Sequence, residues 1–186
     1  EAILQQTRRI CNIVKSLMNF SRSGTLGSDR DRFILDDVID ESVRLVQLTH
    51  KSKQIECNTS CPRDLTMVGD RQRLSQVLVN LLTNACDASQ VCDSIEIFAS
   101  STDTEVKIEI MDHGKGIPAD MQEYIFEPFV TTKAPGEGTG LGLSMAHKII
   151  QEHDGKISID SETGVGTRVE IRLPQSENQT TNKSNG

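Results

Sequence analysis

Aromatic side chains are scarce in this chain, and their scarcity limits what it can bind. Its 186 residues include one tyrosine, five phenylalanines and no tryptophan, so only 3% of the sequence is aromatic. Proteins that hold single-stranded nucleic acid stack bases on aromatic platforms, and proteins that bind duplexes carry basic patches. This chain has a formal net charge of −7 and no basic run. We therefore expect no nucleic acid among its partners.

Long apolar stretches and paired cysteines are also missing. No segment approaches the ~20 apolar residues that a membrane-spanning helix needs, so we expect no direct membrane insertion. Whether a parent protein is anchored elsewhere stays open. The five cysteines are odd in number and none has C-x-x-C spacing. Reduced thiols and a cytoplasmic location are therefore expected.

Two asparagines mark the first candidate site element. Residues 71–89 carry apolar side chains at helical spacing, and Asp70 is suited to cap that helix. Asn80 and Asn84 lie four residues apart, so they share one face at the border of the apolar stripe. Such amides need partners or a ligand, and an amide oxygen suits Mg²⁺. An ordinary pair of capping or solvent-facing asparagines is the alternative.

A strand that ends in an acidic residue is the second element. Apolar residues alternate over 105–111, which predicts a strand. It ends at Asp112, and Gly114 and Gly116 permit a tight turn beyond it. A carboxylate there can accept a hydrogen bond from the exocyclic amine of a base. The same Asp-x-Gly-x-Gly pattern is also common in ordinary loops.

A glycine-rich loop that opens a helix is the third element. The loop spans 136–142, and 141–152 continues as an amphipathic helix. Phosphate is favoured at the N-terminus of such a helix, where N–H groups lack partners. No Lys-Ser/Thr follows the last glycine and no strand immediately precedes the loop. The loop is therefore neither a Walker A motif nor a Rossmann fingerprint.

In this order the three elements resemble the N, G1 and G2 boxes of the ATP-binding fold shared by sensor histidine kinases, type II topoisomerases, mismatch-repair ATPases and a heat-shock chaperone. Residues 125–133 resemble the F box and the start of the ATP lid, and 164–167 the last glycine box. The resemblance covers about residues 1–174. It implies an α/β fold, a two-layer sandwich of a mixed β-sheet with helices on one face.

The resemblance also implies a site for ATP and Mg²⁺. It implies Asn84 as the metal ligand, Asp112 as the adenine ligand and the 136–142 loop at the phosphates, with Lys133 or Thr132 at the γ-phosphate. Four apolar residues are implied to pack the lid and the core: Phe126, Phe129, Leu141 and Leu143. The expected ATP-binding residues are Asn80, Asn84, Asp87, Asp112, Gly114, Gly116, Ile117, Thr131, Thr132, Lys133, Gly136, Gly138, Thr139, Gly140, Leu141, Gly142 and Thr167.

Position 80 favours a kinase over an ATPase. The topoisomerases, repair ATPases and chaperone of this superfamily carry a glutamate there that activates water, whereas Asn80 cannot take a proton at neutral pH. The implied function is transfer of the ATP γ-phosphate to a histidine and then to an aspartate of a response regulator receiver domain. A stand-alone ATPase and a non-catalytic binding module stay open as alternatives.

The phosphoacceptor histidine is absent from this sequence. None of the four histidines (50, 113, 147 and 153) has an acceptor context or metal-ligand spacing, so structural or surface roles are expected. The chain starts at Glu1 within a helical pattern, which suggests a fragment. We expect a homodimer for the full-length protein and a monomer or weak dimer for the fragment.

The expected organisation has four parts. Residues 1–23 would be the second helix of the dimerisation hairpin, 24–32 a linker, 33–174 the ATP-binding domain and 175–186 a disordered tail. Further strands are predicted near 33–35, 54–58, 65–68, 94–100, 155–160 and 166–173, and a helix over 36–50.

Overall fold

The structure is a computed structural model that describes residues 30–133 and 138–175. The predicted bundle helix over 1–23, the linker up to residue 29, Gly136 and the tail from residue 176 lie outside the described residues. The elements follow in this order: β1 (Asp31–Ile34), α1 (Leu35–Thr49), a 3₁₀ turn (Lys51–Lys53), β2 (Glu56–Ser60), β3 (Thr66–Gly69), α2 (Arg71–Ala88), β4 (Ser94–Ser101), β5 (Glu105–Asp112), α3 (Ala119–Gln122), α4 (Gly142–Glu152), β6 (Lys156–Glu162) and β7 (Gly166–Pro174).

A five-stranded mixed sheet is the framework of the domain. Its strand order is β2-β4-β5-β7-β6. β2 runs parallel to β4, and the other neighbours are antiparallel. β1 and β3 form a separate two-stranded antiparallel sheet. The α/β class and the mixed sheet are confirmed.

The two faces of the sheet differ as the alternating sequence of β5 predicts. Val106, Ile108 and Ile110 are at most 2% exposed and belong to the core beneath the helices. On the opposite face, Lys107 and Glu109 join a network of ion pairs with charged residues of β7. Helices therefore cover one face of the sheet, as predicted, and the other face is charged.

The helix α2 lies between α1 and α4 and carries both asparagines of the candidate site. It begins where expected, because Asp70 Oδ1 accepts the backbone N–H of Arg73 at 3.0 Å and so caps the first turn. Its apolar stripe is buried against the sheet. Asn80 and Asn84 border that stripe and are half-buried.

The strand β1 starts two residues earlier than predicted, inside the segment expected to be linker. Asp31 and Arg32 pair with Gly69 and Val68 of β3. Their side chains are exposed and polar, so the sequence shows no alternation that would predict a strand at these two residues. The start of β1 is set instead by its pairing with β3. Within the described ranges, no helix is long and apolar enough to cross a membrane.

Candidate functional site

A cavity of about 320 Å³ opens beside α2 and gathers most of the predicted site residues. Its lining comes from α2, from β5, β6 and β7, from α3 and the loops on either side of it, and from the first turn of α4 and the loop before it. The predicted residues that line it are Asn80, Asn84, Asp87, Asp112, Gly116, Ile117, Thr131, Thr132, Lys133, Gly138, Thr139, Gly140, Gly142 and Thr167.

Two predicted residues lie behind this lining. Gly114 packs against the end of α2, where an added Cβ would come within 2.5 Å of the Ala88 carbonyl group. Leu141 is only 3% exposed. Both residues therefore support the wall of the cavity without lining it.

Apolar side chains that the sequence analysis did not assign to the site form much of the cavity wall. They include Ile110, Met121, Ile125, Ile159 and Val169. Ile110, Ile159 and Val169 lie on strands, at the inward positions of alternating patterns. This alternation is the only sign of their position that the sequence gives. Alternation does not distinguish a side chain that packs in the core from one that faces a cavity in it.

Asp112 places a buried carboxylate within this apolar wall. The residue is 6% exposed, and its Oδ1 accepts the backbone N–H of Gly114 at 2.9 Å. Burial raises the pKa of Asp112, and hydrogen bonds from the backbone N–H groups of Gly114 and Thr167 offset part of that shift. A carboxylate in such surroundings binds a ligand's N–H donor more strongly than it would in water.

The turn after Asp112 requires a glycine at position 116. Gly116 has φ +68°, and an added Cβ would lie 2.1 Å from the carbonyl oxygen of Glu162. The backbone approaches the β6–β7 hairpin this closely because Ile117 N–H donates to Ser161 Oγ at 2.9 Å.

We expect Gly116→Ala to lower the free energy of unfolding by about 1–3 kcal/mol, through backbone strain and the clash with Glu162. Gly164→Ala is the matched control, since Gly164 has φ +82° but nothing within 4 Å of an added Cβ. It should cost only the positive-φ strain of ~1 kcal/mol. Urea denaturation of both variants makes the comparison. Equal losses would show that the close approach contributes nothing.

The two asparagines meet the first turn of α4. Asn80 Nδ2 donates to the Gly142 carbonyl oxygen at 3.4 Å. An added Cβ on Gly142 would lie 3.8 Å from Asn84 Nδ2. The glycine therefore lets the start of α4, with its unpaired N–H groups, approach the amide pair.

Lys133 forms an ion pair within the site, and its expected place at the γ-phosphate stays a prediction. Its Nζ contacts Asp87 Oδ2 at 2.5 Å and Asn84 Oδ1 at 3.3 Å. The Asp87 carboxylate, which also contacts His50 Nε2 at 3.2 Å, attracts the ammonium group. A cation thus already lies against the amide oxygen of Asn84.

Not all of the residues expected to pack the lid and the core do so. Phe126 stacks on His147 of α4, with ring centroids 4.8 Å apart, and Leu143 packs against the core. The prediction for Phe129 is wrong, because its side chain is 65% exposed. Its backbone has φ 71° and its N–H donates to the Gly140 carbonyl oxygen, so the backbone rather than the ring makes the contact.

The four histidines have the structural or surface contacts that were expected. His153 Nδ1 donates to the Ile149 carbonyl oxygen at 2.8 Å, and His113 Nε2 lies 3.0 Å from Glu96 Oε2. His147 packs on Phe126, and His50 lies beside Asp87. None of these contacts resembles a metal centre.

Comparison with known proteins agrees with this geometry. Residues 69–177 match the family described as histidine kinase-, DNA gyrase B-, and HSP90-like ATPase. The sensor histidine kinase ZraS of Escherichia coli K12 is 40% identical over 141 residues, which cover 75% of this chain and 30% of ZraS. The solved catalytic domain of histidine kinase ThkA, in a nucleotide-free form, is 34% identical with a TM-score of 0.71, and the match covers 80% of this chain and 97% of that domain.

A second solved structure contains ThkA in complex with the response regulator protein TrrA. It is 29% identical to this chain with a TM-score of 0.74, and the match covers 94% of this chain and 50% of that one. The chain spans about 30% of the length of the curated relative ZraS.

The chain belongs to the histidine kinase-, DNA gyrase B- and HSP90-like ATPase family, as an ATP-binding domain of the sensor histidine kinase type.

Proposed function

We propose that this domain binds Mg-ATP and supplies the γ-phosphate to a histidine, from which it passes to an aspartate of a response regulator receiver domain. The observation that supports this most directly is the cavity that combines a buried carboxylate, Asp112, with the amides of Asn80 and Asn84. The Asp112 carboxylate suits a nucleotide base, and the two amides suit a metal-bound triphosphate.

The apolar wall and Asp112 would hold the adenine ring. Ile110, Met121 and Val169 offer a surface for a flat heterocycle, and the Asp112 carboxylate is an acceptor for its exocyclic amine. Gly116 and Ile117 lie on the turn beside this region, and Thr167 lies across from Asp112 in the strand register. These residues would set the position of the base.

Asn84 would hold Mg²⁺, and its surroundings fit that ion. The amide oxygen already contacts an ammonium group, so it faces a position where a cation is stable. Among the described residues, no three His, Cys, Asp or Glu side chains are grouped to hold a metal. Mg²⁺ typically takes few protein ligands and completes its shell with water and phosphate oxygens. When bound, it neutralises charge on the phosphates during transfer.

The phosphates would lie at the start of α4 and beside Lys133. Backbone N–H groups at a helix N-terminus favour phosphate, and the glycines before α4 leave this approach open. Gly138, Thr139, Gly140 and Gly142 would line it from the loop. Thr131, Thr132 and Lys133 would line it from the other side, with Lys133 moving from Asp87 to the phosphates.

The lining favours transfer over hydrolysis. Among the described lining residues, Asp87 and Asp112 are the only carboxylates. Asp87 is paired with Lys133, and Asp112 is buried in the adenine region. Asn80 cannot accept a proton, so no side chain here is placed to activate water. The bond from the γ-phosphorus to the bridging oxygen would break as a bond to an incoming histidine nitrogen forms.

The remaining parts of the proposal concern the whole protein. We propose a receiver domain as partner because the ThkA structure contains a response regulator. A homodimer is proposed because the apolar helical stripe in residues 1–23 suits a helical hairpin bundle. We also propose that a linker, the ATP-binding domain over 33–174 and a tail over 175–186 follow this helix. A cytoplasmic location agrees with the free thiols of Cys57, Cys61, Cys86 and Cys92.

We expect this chain to bind Mg-ATP without phosphorylating itself, because none of its histidines has an acceptor context. Calorimetry tests binding. Incubation with γ-labelled ATP, with and without an added acceptor-histidine hairpin, tests transfer. Acid-labile, base-stable label should appear only on the added hairpin. Absence of nucleotide binding would contradict the ATP site, and label on this chain's own histidines would contradict the assignment of roles.

A further inference from the structure

We infer that Ser161 is a positioning residue that holds the Thr167 hydroxyl as a hydrogen-bond acceptor and so contributes to selection of a base that carries an exocyclic amine. The inference deepens the proposed ATP site and rests on the role given there to Asp112. It concerns which bases the site rejects.

Ser161 lies at the centre of a small polar network behind the cavity. It is on β6, and its strand partner in β7 is Thr167. Ser161 Oγ receives the backbone N–H of Ile117 at 2.9 Å and donates to the Gly166 carbonyl oxygen at 2.9 Å. It also lies 3.0 Å from Thr167 Oγ1.

The chemistry of these partners fixes the direction of every hydrogen bond. A backbone N–H can only donate, and a carbonyl oxygen can only accept. The single hydrogen of the Ser161 hydroxyl therefore goes to the Gly166 carbonyl. Its contact with Thr167 must then use the Thr167 hydrogen. One donor and two lone pairs are the full capacity of a hydroxyl, and Ser161 uses all of it.

Thr167 is consequently left without a hydrogen to offer a ligand. Its hydroxyl has donated to Ser161, and its remaining capacity is lone pairs beside the cavity that it lines. The Asp112 carboxylate, which lies opposite in the β5–β7 register, is an acceptor as well. Two acceptors complement an amino group, directly or through water. A carbonyl oxygen at the same place would meet only lone pairs.

The backbone around Ser161 has other support, so loss of the hydroxyl need not unfold the hairpin. Gln122 Nε2 donates to the carbonyl oxygens of Ile117 and Ser161, at 2.9 and 2.8 Å. These bonds keep the turn against β6 when the serine side chain is shortened. Ser161→Ala then leaves the Thr167 hydroxyl able to rotate and donate.

The test compares a 6-aminopurine with a 6-oxopurine nucleotide. Calorimetry gives dissociation constants for ADP and IDP on the wild type and on Ser161→Ala. We expect the wild type to favour ADP, and the variant's preference to fall about tenfold, as a hydrogen bond lost for one ligand and gained for the other implies. Ser161→Thr keeps the hydroxyl and should restore the preference.

Further variants separate positioning from support of the fold. Thr167→Val should lose the part of the preference that the Thr167 hydroxyl provides, while Asp112 keeps the rest, and adding Ser161→Ala to it should change the preference no further. Thr167→Ser should keep it. If Ser161→Ala fails to fold, Ser161→Cys takes its place, because a thiol is a weak hydrogen-bonding group, and it should also lower the preference. An equal loss of affinity for ADP and IDP, or an unchanged preference in Thr167→Val, would overturn the inference. No binding of ADP by the wild type would instead overturn the proposed ATP site.

Discussion

Replacing Asn84 with alanine is expected to weaken Mg²⁺-dependent ATP binding by about 100-fold, since even groups that only support a metal ligand typically contribute 10–100-fold. Alanine offers no oxygen to a cation. The Lys133 ammonium would also lose its 3.3 Å contact with the amide oxygen, while its contact with Asp87 would remain.

Affinity for ATP should be measured by calorimetry with Mg²⁺ and with EDTA. The wild type should show a large difference between the two conditions, and Asn84→Ala a small one. Asn58→Ala, an exposed asparagine on β2, controls for the loss of an amide elsewhere. Asn84→Asp retains an oxygen ligand and should retain most of the Mg²⁺ dependence. A full Mg²⁺ effect in Asn84→Ala would remove this residue from the metal site.

Introducing a carboxylate at position 80 is expected to raise ATP hydrolysis by the isolated domain. General-base assistance is worth about 10²–10⁴-fold when the geometry is right, and Asn80 lies on the cavity one helical turn from Asn84. Two effects oppose the gain in Asn80→Glu. The variant loses the hydrogen bond to the Gly142 carbonyl, and its charge repels the triphosphate.

The measurement is phosphate release at saturating Mg-ATP, which separates turnover from affinity. Asn80→Gln is the matched control, because it has the length of glutamate without a group that accepts a proton. Hydrolysis by the glutamate variant should exceed that by the glutamine variant. Equal rates would show that position 80 does not decide between transfer and hydrolysis in this domain.

The regular elements could be predicted because their sequence patterns follow the physics of burial. The alternation of β5 and the helical stripe of α2 each separate a buried face from a polar one, and Asp70 marks where α2 begins. Element bounds match to within two residues. At β1 the offset of two residues arises because Asp31 and Arg32 become a strand only through their partner β3.

The candidate site could be predicted in part. Asn84, Asp112 and the glycine loop follow from local motifs, because each motif places its own groups on a helix, a strand end or a turn. Ile159 and Val169 could not be assigned to the cavity, since they come from strands far along the chain and look like any core residue. The contact between Lys133 and Asp87 also depends on tertiary placement, as does the outward direction of the Phe129 ring.

The contact of Lys133 with Asn84 and Asp87 changes how ligand entry should be described. These side chains already bring a positive charge to the oxygen proposed for the metal. If Asn84 holds Mg²⁺ as proposed, arrival of Mg-ATP would exchange one cation for another rather than fill an unbalanced site. The released ammonium would not return to bulk water, because the incoming phosphates would provide it with new anionic partners. The measured affinity for Mg-ATP would then be the difference between two charge-compensated arrangements, and the ion pair of Asp87 with Lys133 would oppose binding.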